Sequence, residues 1–191
     1  MRKVVVSEFV TMDGVFEDPG GAEGFKYGGW SMQFASDEYQ KYKYEELMAA
    51  DASLLGRVTY EGFAKAWPSM KSAGEFGEKI NSMPKYIVST TLQDSDLTWN
   101  NSHVLKGDLT EAVNELKQQD GRDILVAGSG MLVRALMERK LVDKLCLMIH
   151  PVVLGAGKRL FDGAPKANYR LIGSKQFSSG TVVLEYEPAK S

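Results

Sequence analysis

The sequence predicts an α/β fold, with a mainly parallel central sheet flanked by helices and an antiparallel C-terminal hairpin. Three observations carry this reading. Short β-rich apolar runs alternate along the chain with apolar residues at helical spacing. Several of these runs break directly into Gly-, Ser- or Thr-containing turns that open a helix. Near the end, two strand-like runs flank Ser178-Ser179-Gly180, a hairpin signal. With 191 residues and no break in composition, a single domain over residues 1–191 is expected.

The elements follow in order. Residues 4–10 are apolar on most positions of both faces, as a strand in the middle of a sheet requires. A glycine-rich loop runs from Asp13-Gly14 to Gly28-Gly29-Trp30, and Ser36 then caps a helix that reaches Ala50. Residues 52–56 form a second strand, and residues 57–67 a helix stopped by Pro68. Helical turns near residues 75–81 precede strands at 85–89 and 102–106. Asp108 and Glu111 have capping-box spacing, with Leu109, Val113 and Leu116 as the apolar stripe of the helix they open. The strand at 123–127 runs into Gly128-Ser129-Gly130 and an apolar helix over 131–141. A strand over 144–153, interrupted by Pro151, and the hairpin strands 169–177 and 181–187 complete the order.

Composition narrows the function classes. Hydrophobic residues are 43% and charged residues 25% of the chain, which excludes intrinsic disorder. The 23 basic and 25 acidic side chains give a net charge of −2 and no basic stripe, so nucleic acid is not an expected partner. The one dense charge cluster, residues 37–46, mixes both signs and reads as a solvated helix face. The single Cys146 sits in an apolar run and reads as a core residue, not a nucleophile. The N-terminus turns polar at Ser7-Glu8, too soon for a signal peptide, and no stretch approaches 18 apolar residues. A soluble, cytoplasmic protein is expected. His103 and His150 lie 47 residues apart without ligand-spaced companions, so no metal is expected.

In open α/β sheets, ligands bind beyond the carboxyl ends of the strands. Four junctions answer to that rule: residues 7–16, Gly56-Arg57-Val58-Thr59, Ser89-Thr90-Thr91 and Gly128-Ser129-Gly130-Met131. Helix-start N–H groups attract phosphate, glycine lets the backbone approach, and the Thr59, Ser89, Thr90 and Ser129 hydroxyls add hydrogen bonds. Arg57 opens a helix, where the macrodipole disfavours a cation unless an anion offsets it. Each junction also has a plain reading as a turn, a solvated arginine or a polar loop. Together they point to a phosphate-bearing ligand. Neither a three-glycine dinucleotide fingerprint nor a P-loop is present, since Val133 and Val152 occupy the required glycine positions.

The blocks Val10-Thr11-Met12-Asp13-Gly14-Val15-Phe16, Leu55-Gly56-Arg57-Val58-Thr59-Tyr60-Glu61, Lys85-Tyr86-Ile87-Val88-Ser89-Thr90 and Val126-Ala127-Gly128-Ser129-Gly130-Met131-Leu132 resemble successive landmarks of the dihydrofolate reductase superfamily. Leu141-Val142-Asp143-Lys144-Leu145 and Pro151-Val152-Val153-Leu154-Gly155-Ala156-Gly157 are closer to one branch, the C-terminal reductase domain of bacterial riboflavin biosynthesis and its stand-alone relatives. The resemblance implies the dihydrofolate reductase-like three-layer fold and an NADPH-dependent reductase, usually a homodimer. It implies that Arg57 and Thr59 hold the 2′-phosphate and pyrophosphate, beside Gly56. Ser89 and Thr90 would meet the adenosine-phosphate end, with Lys106 nearby. Gly128, Ser129, Gly130, Met131 and Leu132 would wrap the pyrophosphate and nicotinamide side. The loop carrying Asp13 and Phe16 would cover the nicotinamide, with Asp13 a candidate proton donor. From the residues themselves, Trp30, Phe34 and Phe16 read either as an aromatic wall for a flat substrate or as aromatics that simply cover the sheet. The chain departs from the folate enzymes on its first helix, where their acidic residue has no clear counterpart among Asp37, Glu38 and Gln40. That departure leaves the substrate and the proton donor open between Asp13, Tyr39 and water. It also admits a second reading, a non-catalytic NADPH-binding or regulatory protein of the same fold.

Overall fold

The computed structural model describes residues 1–189, apart from the Lys71 side chain. Eight strands form one sheet in the order β4-β3-β2-β5-β1-β6-β8-β7. They are β1 (Val4–Thr11), β2 (Ala50–Gly56), β3 (Lys85–Val88), β4 (Ser102–Leu105), β5 (Asp123–Val126), β6 (Lys144–His150), β7 (Tyr169–Gln176) and β8 (Val182–Pro188). The first six pair in parallel, and β8 and β7 run antiparallel beyond β6, as the sequence predicts.

Five α-helices cover the two faces: α1 (Asp37–Ala49), α2 (Arg57–Ala66), α3 (Gly74–Ser82), α4 (Leu109–Gln118) and α5 (Gly130–Glu138). Strand alternation explains the two cores. Val4, Val6 and Val10 pack with Ile124, Val126 and the apolar stripes of α4 and α5. Val5, Leu55 and Leu125 pack on the other face with Leu47 of α1, Tyr60 of α2 and Ile80 of α3.

The local signals act where they were expected. Ser36 caps α1 by accepting a hydrogen bond from the Tyr39 N–H at 3.2 Å. Asp108 accepts from the N–H groups of Thr110 and Glu111 at the start of α4. Pro68 ends α2, the chain turning into a 3-10 helix over Trp67–Ser69. Helix α5 is shorter than its apolar spacing suggests. Lys140 takes a positive φ of 55°, its N–H bonds to the Met137 carbonyl, and the Leu141 N–H bonds to the Leu136 carbonyl. This Schellman turn ends the helix and returns Leu141 to the core. The α5 apolar stripe is therefore core (Leu132, Val133 and Leu136), not a free association face.

Chain order creates one break at the C-terminal rim. From β1 the chain passes through α1 to β2, builds outward to β3 and β4, then returns through α4 to set β5 between β2 and β1. It leaves through α5, on the same face as α4, to reach β6. The last β1–β5 pair is Val6 with Val126, so beyond it β1 and β2 are separated only by the turn that leads into α5.

Candidate functional site

Three of the four predicted junctions, residues 7–16, 56–59 and 128–131, meet at this break. The Gly56 N–H donates to the Gly128 carbonyl at 3.2 Å, tying the end of β2 to the turn after β5. The close approach depends on missing side chains. A Cβ on Gly56 would lie 2.4 Å from Ser129 Oγ, one on Gly128 would lie 2.9 Å from Thr59 Oγ1, and one on Gly130 would lie 2.3 Å from the Phe16 ring. Gly128 also has a φ of 95°, which an L side chain strains to adopt, and a cis peptide joins it to Ser129. Gly56, Thr59, Gly128, Ser129, Gly130 and Phe16 thus form one surface. Helices α2 and α5 both begin on it, and no side chain caps either start. Their first N–H groups are left for an outside acceptor, the arrangement that suits phosphate.

The outer candidates are arranged differently. Arg57 pairs with Glu61 one turn along α2 at 3.1 Å and remains half exposed, so its charge is offset from within the chain. Ser89 Oγ accepts from the Thr91 and Leu92 N–H groups, which shapes the loop after β3, and Thr90 is exposed on it. Lys106, after the edge strand β4, pairs with Asp94 at 3.3 Å. Met131 is 76% exposed, whereas the Leu132 side chain is buried in the core, so only its backbone reaches the rim.

Two assignments change. Asp13 accepts hydrogen bonds from Thr11 Oγ1 and from the Leu154 and Gly155 N–H groups, with Arg159 at 3.8 Å. The Thr11 bond, then the backbone bonds, hold its carboxyl below the ordinary range. A carboxylate kept ionised organises its loop and has no proton to give near neutral pH. Trp30 is buried, its Nε1 donates to the Glu17 carbonyl, and it meets the His150 ring edge-on at 5.2 Å. Phe9, Phe34 and Tyr39 pack around the same imidazole. Trp30 and Phe34 therefore enclose a residue of the chain, not an open wall. His150 itself, the last residue of β6, is fully buried; burial pushes its pKa down, and its Nε2 has no partner.

Three polar groups of the site went unread in the sequence. Glu8, in the middle of β1, is 7% exposed. Its Oε1 has no hydrogen-bond partner and lies 3.8 Å from where a Cβ on Gly128 would sit. Burial pushes its carboxyl up to about 8, against the smaller pull of Lys43 and the Gly128 backbone. Lys43 and Glu46 belong to the cluster expected to be solvated, yet they pair with each other beneath α1. Lys43 Nζ also donates to Ser7 Oγ at 3.0 Å. The available signal was a polar Ser7-Glu8 pair inside an otherwise apolar central strand. Two concavities lie away from the rim. One of about 210 Å3 sits beneath α1, and one of about 350 Å3 lies between Trp67 and α3.

A family model for the RibD C-terminal domain matches residues 2–183. The chain belongs to the RibD C-terminal domain family. It is 30% identical over 189 residues to the uncharacterized protein YyaP of Bacillus subtilis, covering 97% of this chain and 94% of that one. To YwjB of the same organism it is 28% identical, covering 97% of each. Among solved structures, a Shewanella sp. PV-4 protein assigned provisionally to riboflavin biosynthesis aligns over all of both chains with a TM-score of 0.76 and 18% identity. The Thermotoga maritima diaminohydroxyphosphoribosylaminopyrimidine deaminase/5-amino-6-(5-phosphoribosylamino)uracil reductase aligns at 0.67 and 16% identity, over 98% of this chain and 57% of that one. A pyrimidine reductase-like protein of Corynebacterium diphtheriae aligns at 0.65 and 15% identity, over 100% and 93%. The fold of this family member is the dihydrofolate reductase-like fold.

Proposed function

We propose that this RibD C-terminal domain family member is an NADPH-dependent reductase of a small heterocyclic or carbonyl-type substrate. The observation that carries the reading is the glycine-lined meeting of two helix starts without side-chain caps at the sheet break. That surface suits a pyrophosphate: it offers helix-start backbone donors with the Ser129 and Thr59 hydroxyls beside them. Gly56, Thr59 and Gly128–Gly130 would hold it, with Met131 and the Leu132 backbone continuing along α5. Arg57 would turn from Glu61 to the 2′-phosphate, and Ser89, Thr90 and Lys106 would line the adenosine end. Phe16, already packed on Gly130, would cover the nicotinamide side.

The cofactor would supply the hydride. The chain's part is to align donor and acceptor, exclude water and provide a proton. Asp13, which remains ionised, would hold the covering loop closed. The chemistry in the names of the Thermotoga and Corynebacterium proteins favours pyrimidine-type substrates, including phosphorylated ribosylaminopyrimidines. Assembly as a homodimer is part of the proposal, with the exposed Leu171 and Ile172 of edge strand β7 as its face, to be checked by sedimentation.

Titration of the purified protein with NADPH, read by tryptophan fluorescence and thermal stabilisation, tests the cofactor. Quenching and a raised Tm are expected, and their absence overturns the reading. Loss of nicotinamide absorbance on adding pterins, pyrimidine nucleotides or quinonoid acceptors tests turnover. Binding without turnover across that panel would favour the regulatory protein of the same fold.

A further inference from the structure

Resting on the reductase reading, we propose that Glu8 is its catalytic proton donor. Its carboxylic acid would face the reacting atoms at the strand break, beside the Gly128 backbone and the Thr59 hydroxyl. Geometry carries the case. A Cβ on Gly128 would lie 2.9 Å from Thr59 Oγ1 and 3.8 Å from Glu8 Oε1, so both oxygens stand close against the Gly128 backbone. Two oxygens on different elements therefore converge on one glycine at the strand break, and Glu8 Oε1 is buried without a partner. A buried polar atom left in that state is costly unless something outside the chain completes it. The other acidic candidates near the rim are committed elsewhere. Asp13 is bound into its loop, and Glu38 accepts from the Ser178 N–H and hydroxyl at the hairpin turn.

Charged groups near Glu8 come from α1, which contributes Lys43 and Glu46; α2 contributes the Thr59 hydroxyl and the turn before α5 the Gly128 backbone. Burial outweighs the lysine, so the acid is neutral at pH 7 and able to give a proton. In the step, the hydride forms the new C–H bond at the acceptor carbon. The electron pair of the C=N or C=O bond moves to its heteroatom, which takes the Glu8 proton. Oxidised cofactor and Glu8 carboxylate remain, and solvent returns the proton.

A test that needs no substrate compares NADP⁺ and NADPH binding between pH 6.5 and 9.5, by isothermal calorimetry on the whole protein. The two nucleotides share every phosphate and differ in charge at the nicotinamide, so their affinity ratio isolates a titrating group beside that ring. If Glu8 lies there, NADP⁺ should gain on NADPH by about tenfold as the carboxylate forms near pH 8. In Glu8→Gln the ratio should stay flat. Infrared difference spectra of wild type against Glu8→Gln should also show a protonated carboxyl at pH 7. A flat ratio in the wild type, with both nucleotides bound, overturns the role of Glu8 and leaves the nucleotide site standing. Failure of either nucleotide to bind overturns the reductase reading itself.

Discussion

The rim break and the cavity beneath α1 each hold a buried carboxylate oxygen without a partner, on Glu8 and Glu46, yet they offer a ligand opposite things. The cavity, of about 210 Å3, lies towards the N-terminal ends of the strands. Its lining carries Glu45, Glu46, Asp123 and Glu185 against Lys144 alone. Lys144 is already held by Glu185 at 2.9 Å, and the Tyr42 hydroxyl donates to the same carboxylate. A phosphate entering there would meet repulsion. The rim instead offers helix starts without side-chain caps and the hydroxyls of Thr59 and Ser129. A concave shape alone does not mark the ligand end of this sheet; the sign and direction of the available donors do.

Four outcomes would break or sharpen that contrast. The largest concerns the pH dependence of folding. The Glu8 carboxyl is raised in the folded chain, so between about pH 4.5 and 8 the native state binds the extra proton. Stability should fall as pH rises through that window, by up to about 1.4 kcal/mol per unit, and level off above it. Urea unfolding across pH should show this slope in the wild type and a shallower one in Glu8→Gln; identical slopes would mean that Glu8 is hydrated.

Next, Gly130→Ala places a methyl against the Phe16 ring. It should cost about 1–3 kcal/mol in stability and weaken NADPH binding at least in proportion. Unchanged affinity would move the site off the glycine crossing. Third, Arg57→Ala should cost about 1–3 kcal/mol in NADPH binding and much less for NADH, because only the former carries the extra phosphate. Equal losses would place Arg57 outside the 2′-phosphate site. The smallest effect is expected at the cavity. Glu46→Gln frees Lys43 from its partner but should change NADPH affinity by less than about 0.5 kcal/mol. A larger change would tie the two regions together.

The rim was legible because its signals are local. Strand-end glycines at 56, 128 and 130 and the hydroxyl of Thr59 announce a turn against a helix start whatever lies around them. The parallel order was legible for the same reason, through alternating periods and the caps at Ser36 and Asp108. What escaped depends on which element covers which. Glu8 is polar in sequence and becomes a buried acid only because the turn before α5 closes beside it. Lys43 and Glu46 belong to a mixed-charge helix, and nothing nearby says that this side of α1 lies on the sheet. Lys85 shows the same limit. Its place in a short strand is predictable, but its full burial rests on three carbonyl acceptors, those of Asn81 in the last turn of α3, Met83 just after it and Asn100 in the loop before β4.

Hydrogen–deuterium exchange with and without NADPH is the most direct measurement of where the nucleotide sits. Slowed exchange in residues 56–60 and 127–133, with the α1 and β8 segments around the cavity unchanged, is the predicted result. Protection confined to residues 42–50 and 183–187 would contradict the assignment of the nucleotide to the rim.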